Sequence, residues 1–293
     1  YGSLDKHNLV PFKEETLFTR ASNTKSVTAI RVMKLLEQNK ISLSDKLTLF
    51  FDNVPISKRS ISIRPLLSHK SGLRQTYPLD GITDSKKAID VIFDEEVEFT
   101  PGNGFRYSNQ NYQLLALIVE KITKTKFEDY IRTNVLSPLK MVNTFFWDEV
   151  NENHNLAPLN DRMLRRIGKR DWGFIGGAGI FTTTSDLSKF WNGIYKNGFL
   201  SKESIDTLFK SYHETKSGIQ IGLGFYKSPN TKWKTAELWT RGTESWGHNS
   251  VIRFFPQKDL TIIVSTNSGE IGNDSAMTGN RLISDLIADY LLK

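Results

Sequence analysis

From Ser22 onward the apolar positions Val27, Ile30, Met33 and Leu36 fall at helical spacing, which predicts a helix starting at Ser22. The same period continues to about residue 170, punctuated by Pro55, Pro65, Pro78, Pro101 and Pro138. It is clearest where Tyr112, Leu115, Val119 and Ile122 share one face. Ahead of this region the first twenty residues read as a hairpin turning at Lys6-His7-Asn8, then an extended segment with Leu17 and Phe18 apolar.

The last third changes character. Ser185 and Asp186 read as the start of a helix ending near Gly198, and Ser201 caps another. Strand-like segments follow at 219–226, 235–240, 248–255 and 260–266, with Pro256-Gln257-Lys258-Asp259 as a turn. A closing helix is expected to place Leu282, Ile283, Leu286, Ile287 and Tyr290 on its inner side. Consecutive strands with short connections make an antiparallel sheet, here backed by the terminal helix. The pattern thus predicts a mixed α/β (α+β) fold. A sheet subdomain would be drawn from both chain ends, about 1–20 and 172–293, with a mostly helical subdomain, about 21–171, inserted between them.

Composition narrows the classes. A chain of 293 residues is one large domain or two small ones. With 38% hydrophobic and 24% charged residues it is an ordinary globular protein, which excludes disorder, collagen and coiled coil. Zero cysteines remove disulfides, thiolate nucleophiles and iron–sulfur clusters together. The longest purely apolar run, 114–119, falls far short of the roughly 20 residues of a membrane span, so no transmembrane segment is expected. The net charge of +7 favours anionic ligands. Its densest stretch, Arg162, Arg165, Arg166, Lys169 and Arg170, reads as a solvated face, and no nucleic-acid partner is expected. The opening on Tyr1 rather than Met leads us to expect an upstream segment, a lost export signal among the candidates, and a periplasmic or secreted location.

Ser-x-x-Lys occurs three times, at Ser3/Lys6, Ser22/Lys25 and Ser137/Lys140, when about one match is expected by chance. Only Ser22 opens a helix, where residues three apart lie on one face. A serine hydroxyl is a poor nucleophile until a neighbour takes its proton, and Lys25 would sit one turn away. The helix N-terminus adds N–H groups and a positive dipole end that favour developing negative charge. Taken alone, the same pair is more simply a helix cap and a surface lysine.

Two further constellations alter that weighting: Tyr107-Ser108-Asn109 just before the clearest helix, and Trp246-Gly247-His248-Asn249-Ser250 at the head of a strand. With Ala21-Ser22-Asn23-Thr24-Lys25, these resemble the serine β-lactamase and DD-peptidase superfamily. The branch is that of class C β-lactamases, D-amino-acid peptidases and β-lactamase-like esterases. Supporting echoes are Leu66-Leu67-Ser68-His69-Lys70-Ser71-Gly72-Leu73, Gly176-Gly177-Ala178-Gly179-Ile180, Gly222-Leu223-Gly224-Phe225 and Ser265-Thr266-Asn267. They occur in the family's order and span nearly the whole chain, as expected for a single catalytic module over 1–293.

The resemblance implies roles residue by residue. Ser22 would be the acylated nucleophile, Lys25 its proton-relay partner and Tyr107 the second catalytic group. Asn109 would bond the substrate amide or the Lys25 amine. His248, Asn249 and Ser250 would stand where many relatives have Lys-Thr-Gly, and the oxyanion hole would be the N–H groups of Ser22 and Val251. A free tyrosine titrates near pH 10, so a basic role needs cationic neighbours, which Lys25 and protonated His248 would supply. Two features depart from the pattern: Ser250 replaces the family glycine, and the family's usual helix and strand would precede the segment matching Tyr1, so that either the chain was trimmed or the sheet edge is completed differently.

No metal or other cofactor is implied. The remaining histidines, His7, His69, His154 and His213, are scattered without helical ligand spacing. The expected activity is hydrolysis of an ester, an amide or a D-residue-containing peptide, so the partner is a small-molecule or peptide substrate; oligomeric state is left open. The alternative is a penicillin-recognising or peptidoglycan-binding module with little turnover. With histidine in place of a permanent cation, substrates without a free carboxylate are expected to be preferred over β-lactams, unless Arg241 replaces that charge.

Overall fold

Among the described residues, two antiparallel sheets organise the chain. The smaller joins Phe18–Thr19 (β1), Phe145–Phe146 (β2) and Ile180–Thr182 (β3) in the order β1-β3-β2. The larger takes all six strands from the last third: His213–Glu214 (β4), Gln220–Ile221 (β5), Tyr226–Ser228 (β6), Glu237–Thr243 (β7), Asn249–Phe255 (β8) and Leu260–Thr266 (β9). They lie side by side in chain order, as short connections between consecutive strands require. This computed structural model describes residues 3–4, 10–159, 161–229, 231–243, 248–267 and 275–292. The turn of the expected N-terminal hairpin lies outside them, as do Lys6, His7, Trp246 and Gly247; an antiparallel bridge joins Ser3 to Pro11.

Two helices carry the centre. In Thr24–Glu37 every residue from Thr24 to Met33 is buried, and in Asn109–Thr123 every residue from Gln110 to Val119 is. A helix buried all round must find partners for its polar side chains. Thr28 Oγ1 accordingly donates to the Gly176 carbonyl (2.7 Å), and Ser26 Oγ donates to that of Asn23 (2.7 Å).

Four expectations are corrected. The segment 219–226 is not one strand but two, β5 and β6, paired as a hairpin around Gly222 and Gly224. A Cβ on Gly222 would lie 2.2 Å from the Leu208 carbonyl, and one on Gly224, at φ +79°, 2.6 Å from Ala29 Cβ. The chain turns inward there, where only glycine fits. The helix expected at Ser185 is Thr184–Tyr195, capped by Thr183 Oγ1, which accepts from the Asp186 N–H. The basic stretch is not simply solvated: Arg166 pairs with Asp80 and Asp171, and Arg170 with Glu120 and Glu128.

The fourth correction concerns the terminal helix, Ser275–Leu291. Leu282, Ile283, Leu286, Ile287 and Tyr290 are exposed, while Ser284 and Ala288 are buried. Small residues let the helix approach the sheet closely. Part of the interface is polar: buried Arg253 of β8 reaches Ser284 Oγ (2.8 Å), Asp285 (2.6 Å) and Glu237 (2.7 Å). A charge buried in this way must be paired, and the pairing fixes which helix face turns inward.

Candidate active site

The chain passes from β1 through Arg20 into a single 3₁₀ turn, Ala21–Asn23, and then into helix Thr24–Glu37. Ala21 sits at φ +47°, a left-handed conformation uncommon outside glycine, held by its N–H donating to Thr19 Oγ1 (3.0 Å). This sharp turn presents Ser22 at the mouth of the helix. Ser22 is not the helix cap: its Oγ lies 3.2 Å from Lys25 Nζ and accepts from Tyr107 Oη at 2.6 Å.

Lys25 is buried and its ammonium donates three ways, to Ser22 Oγ, to Asn109 Oδ1 (2.7 Å) and to the Gly177 carbonyl (2.9 Å). An ammonium has three protons, so this cage matches its full donor capacity. Nζ also stands 5.0 Å from the centroid of the Tyr107 ring, a cation beside a phenol that would carry negative charge when deprotonated. Four residues expected from sequence, Ser22, Lys25, Tyr107 and Asn109, are thus brought together. The other two Ser-x-x-Lys matches are not: Ser137-Lys140 is a surface turn, and Lys6 lies outside the described residues.

The expected substrate strand is displaced by one. His248 is buried away from the cleft; its Nδ1 accepts the Thr19 N–H (3.2 Å) and its Nε2 donates to the Pro158 carbonyl (2.8 Å). Burial lowers its pKa to about 4, so it is neutral at pH 7. Asn249 pairs with Thr243 and Thr266 inside the sheet. Ser250 works from behind the nucleophile turn, its Oγ receiving Asn23 Nδ2 (2.5 Å). Val251 pairs with Arg241 on one side and Val264 on the other, so its N–H is spent within the sheet and is not an oxyanion donor.

The strand that meets the nucleophile is β7. A Cβ on Gly242 would lie 2.0 Å from the Arg20 carbonyl and 2.9 Å from Ser22 N. Only glycine allows that approach. Beyond Trp239, where pairing with β6 stops, residues 240–243 pair with β8 alone. One backbone edge of β7 therefore has no strand partner among the described residues. The cleft is bounded by Ser22, Lys25, Tyr107 and His69 from the helical side and by Tyr226, Thr240 and exposed Arg241 from the sheet. Thr240 and Gly242 are missed by sequence reasoning, which names Arg241 only as the substitute for the absent cation. The available signal was a polar–cationic–glycine triplet in the strand preceding the chosen one. His69 and the Gly177 carbonyl were also missed as site groups, although both lie in segments quoted for the resemblance.

Among the described residues no cluster of metal-ligating side chains occurs. What the arrangement supplies is a hydroxyl in contact with both an ammonium and a phenol, beside an open strand edge and an accessible guanidinium. That is equipment for acyl transfer.

Comparison with known proteins finds a family model and relatives. A family model described as Beta-lactamase matches residues 1–285. The chain is 31% identical to Protein flp of Staphylococcus aureus (strain MRSA252) over 166 residues, covering 54% of this chain and 33% of that one. It is 26% identical to Penicillin-binding protein 4* of Bacillus subtilis (strain 168) over 261 residues, 77% of this chain and 55% of the other. It spans a third to about half the length of these relatives. The solved structure of a D-amino acid amidase from Ochrobactrum anthropi SV3 superposes with a TM-score of 0.82 at 20% identity, covering 99% of this chain and 89% of that one.

Proposed function

The chain belongs to the Beta-lactamase family, and from that premise we propose that it is a serine hydrolase acting through an acyl-enzyme on Ser22. The observation that carries the reading is the contact of one hydroxyl with both Lys25 Nζ and Tyr107 Oη. With one proton removed from the Lys25–Tyr107 pair, Ser22 Oγ attacks the scissile carbonyl as its own proton passes to the pair, and the pair returns that proton to the leaving group as the bond to it breaks. The Ser22 N–H at the helix mouth and an N–H of the open β7 edge receive the oxyanion.

An extended substrate adds along the open edge of β7, residues 240–243, as a further strand. Arg241 then meets a carboxylate near the scissile bond, as the replacement cation that the sequence analysis allowed for. The preference for carboxylate-free esters loses its premise, because His248 does not face the cleft. The substrate class we favour is an amide or peptide ending in a D-residue with a free carboxylate, in keeping with a D-amino acid amidase among the similar folds. Such a substrate places the protein in the periplasm or outside the cell.

Intact-protein mass spectrometry after a fluorophosphonate, and separately after a penicillin, tests the reading. One adduct on Ser22, lost in Ser22→Ala together with turnover, is expected. Label on another serine, or wild-type hydrolysis by the alanine variant, refutes the assignment. A penicillin adduct that persists without any ester or amide turnover favours a recognition module instead.

A further inference from the structure

His69 is buried, its backbone lies at φ +57°, and the acyl-transfer steps above do not use it. Its contacts converge on one residue. The His69 carbonyl accepts the Arg106 N–H (2.9 Å), and His69 Nδ1 accepts the Ser108 N–H (3.3 Å). These are the residues on either side of Tyr107. The imidazole itself lies against the Tyr107 ring, with centroids 4.5 Å apart and planes inclined by 33°.

We propose that His69 is a positioning residue: it grips the backbone on both flanks of Tyr107 and backs its ring, holding Oη in contact with Ser22. The inference rests on the hydrolase reading and assigns the group that places its second proton acceptor.

The grip needs one protonation state. A backbone N–H only donates, so Nδ1 carries a lone pair and the ring proton is on Nε2. Asn111 Nδ2 donates to the same Nδ1 (3.0 Å), and Asn111 is oriented by Ser71 Oγ, which donates to its Oδ1 (2.5 Å). Protonating Nδ1 would set three donors against each other. The surroundings oppose that: burial first, then the charge of Lys25, lower the His69 pKa to about 3. The titratable groups facing the ring are Lys25, Tyr107 and Tyr112, with Phe105 at its edge. The left-handed backbone also suits the site, since Asn, Asp and His tolerate that region best. It brings the carbonyl and the ring round to the same loop.

The effect on rate follows from geometry. A displacement of about 1 Å at a reacting group can cost on the order of 10²-fold in rate. His69→Phe keeps a ring against Tyr107 but removes the acceptor; His69→Asn keeps an acceptor at the Nδ1 position and tolerates φ > 0.

The experiment measures kcat and KM on an activated ester for His69→Phe, His69→Asn, Tyr107→Phe and the double variant His69→Phe/Tyr107→Phe, each checked for a cooperative melt. The expected result is kcat down about 10–100-fold in His69→Phe with KM within about threefold, and His69→Asn restored to within about fivefold of wild type. The double variant should be no slower than Tyr107→Phe alone, since His69 acts through that phenol. In the wild-type protein, nitrogen NMR of the imidazole should show an unprotonated Nδ1 at pH 7. Equal losses in the Phe and Asn variants, a fully additive double variant, or a protonated Nδ1 would each overturn the proposal. Should His69→Phe not fold, the Asn variant and the NMR tautomer decide it. Wild-type turnover in Tyr107→Phe would remove the phenol from the reaction and overturn the proposal with it, whereas absence of any turnover in the wild-type protein would refute the hydrolase reading, a result independent of any His69 variant.

Discussion

One hydroxyl, Ser22 Oγ, meets two groups that share its proton chemistry, and they differ in what they can be tested for. Lys25 is held by three acceptors at once, so changing it disturbs packing as well as charge. Tyr107 reaches Ser22 only through its Oη, so Tyr107→Phe removes one oxygen at nearly constant volume. We expect turnover to fall on the order of 10²–10⁴-fold with the melting temperature little changed, as measured by steady-state kinetics and thermal melts. Arg241 yields a different signature. It is exposed and stacks over Trp239, 5.7 Å from the ring centroid, so its loss costs little stability. Arg241→Gln should raise KM for a carboxylate-bearing D-peptide about tenfold and leave a neutral ester unaffected. Equal effects on both substrates would remove Arg241 from substrate recognition.

At the scale of elements, the decisive arrangement is β7 against the turn that carries Ser22. Gly242→Ala would drive a methyl group into the Arg20 carbonyl, 2.0 Å away, and the strand must retreat from the nucleophile. The expected cost is about 1–3 kcal/mol in stability, read by urea unfolding, with a larger loss in kcat/KM than in the melting midpoint. The neighbouring strand explains why sequence reading settled one strand too late. β7 and β8 are adjacent and both seven residues long, and each carries a polar triplet near the cleft end, Thr240-Arg241-Gly242 and His248-Asn249-Ser250. Only the glycine that ends the β7 triplet marks which of the two strands touches Ser22. The terminal helix shows the same blindness to partners. Its apolar row reads as an inner face, yet Ala288 and Ser284 face the sheet. Ala288→Leu should therefore destabilise by about 1–3 kcal/mol through overpacking, while Leu286→Glu stays within about 0.5 kcal/mol. Chemical denaturation of the pair checks the orientation.

For the molecule as a whole, two buried histidines set a vulnerability to acid. His69 and His248 have folded-state pKa values lowered to about 3 and about 4, against about 6.5 unfolded. Between those limits the unfolded chain binds protons that the folded one refuses. Stability is therefore full above about pH 6.5 and declines as pH falls towards 4, by an amount on the order of a few kcal/mol. Urea midpoints at pH 7.5, 5.5 and 4.5 should trace that decline. Replacing His248 by Gln should flatten part of the slope, and an unchanged slope would show that His248 is not buried neutral.

Much of this was legible along the chain because it is short-range. The i, i+3 spacing puts Lys25 within reach of Ser22 on a turn entering a helix, whatever surrounds it. Tyr107-x-Asn109 stands just ahead of a helix whose period is plain, and short strand-like runs separated by turn signals mark β7, β8 and β9 as strands with few residues of error. Tertiary structure alone decided which strand faces the nucleophile, because strand order against a distant turn depends on a glycine's fit beneath the Arg20 carbonyl. It also decided that His248 is a locked spacer and that His69, scattered in sequence, braces Tyr107. A histidine's role is set by the hydrogen-bond partners that its two nitrogens meet, and here those partners lie 39 to 229 positions away in the chain.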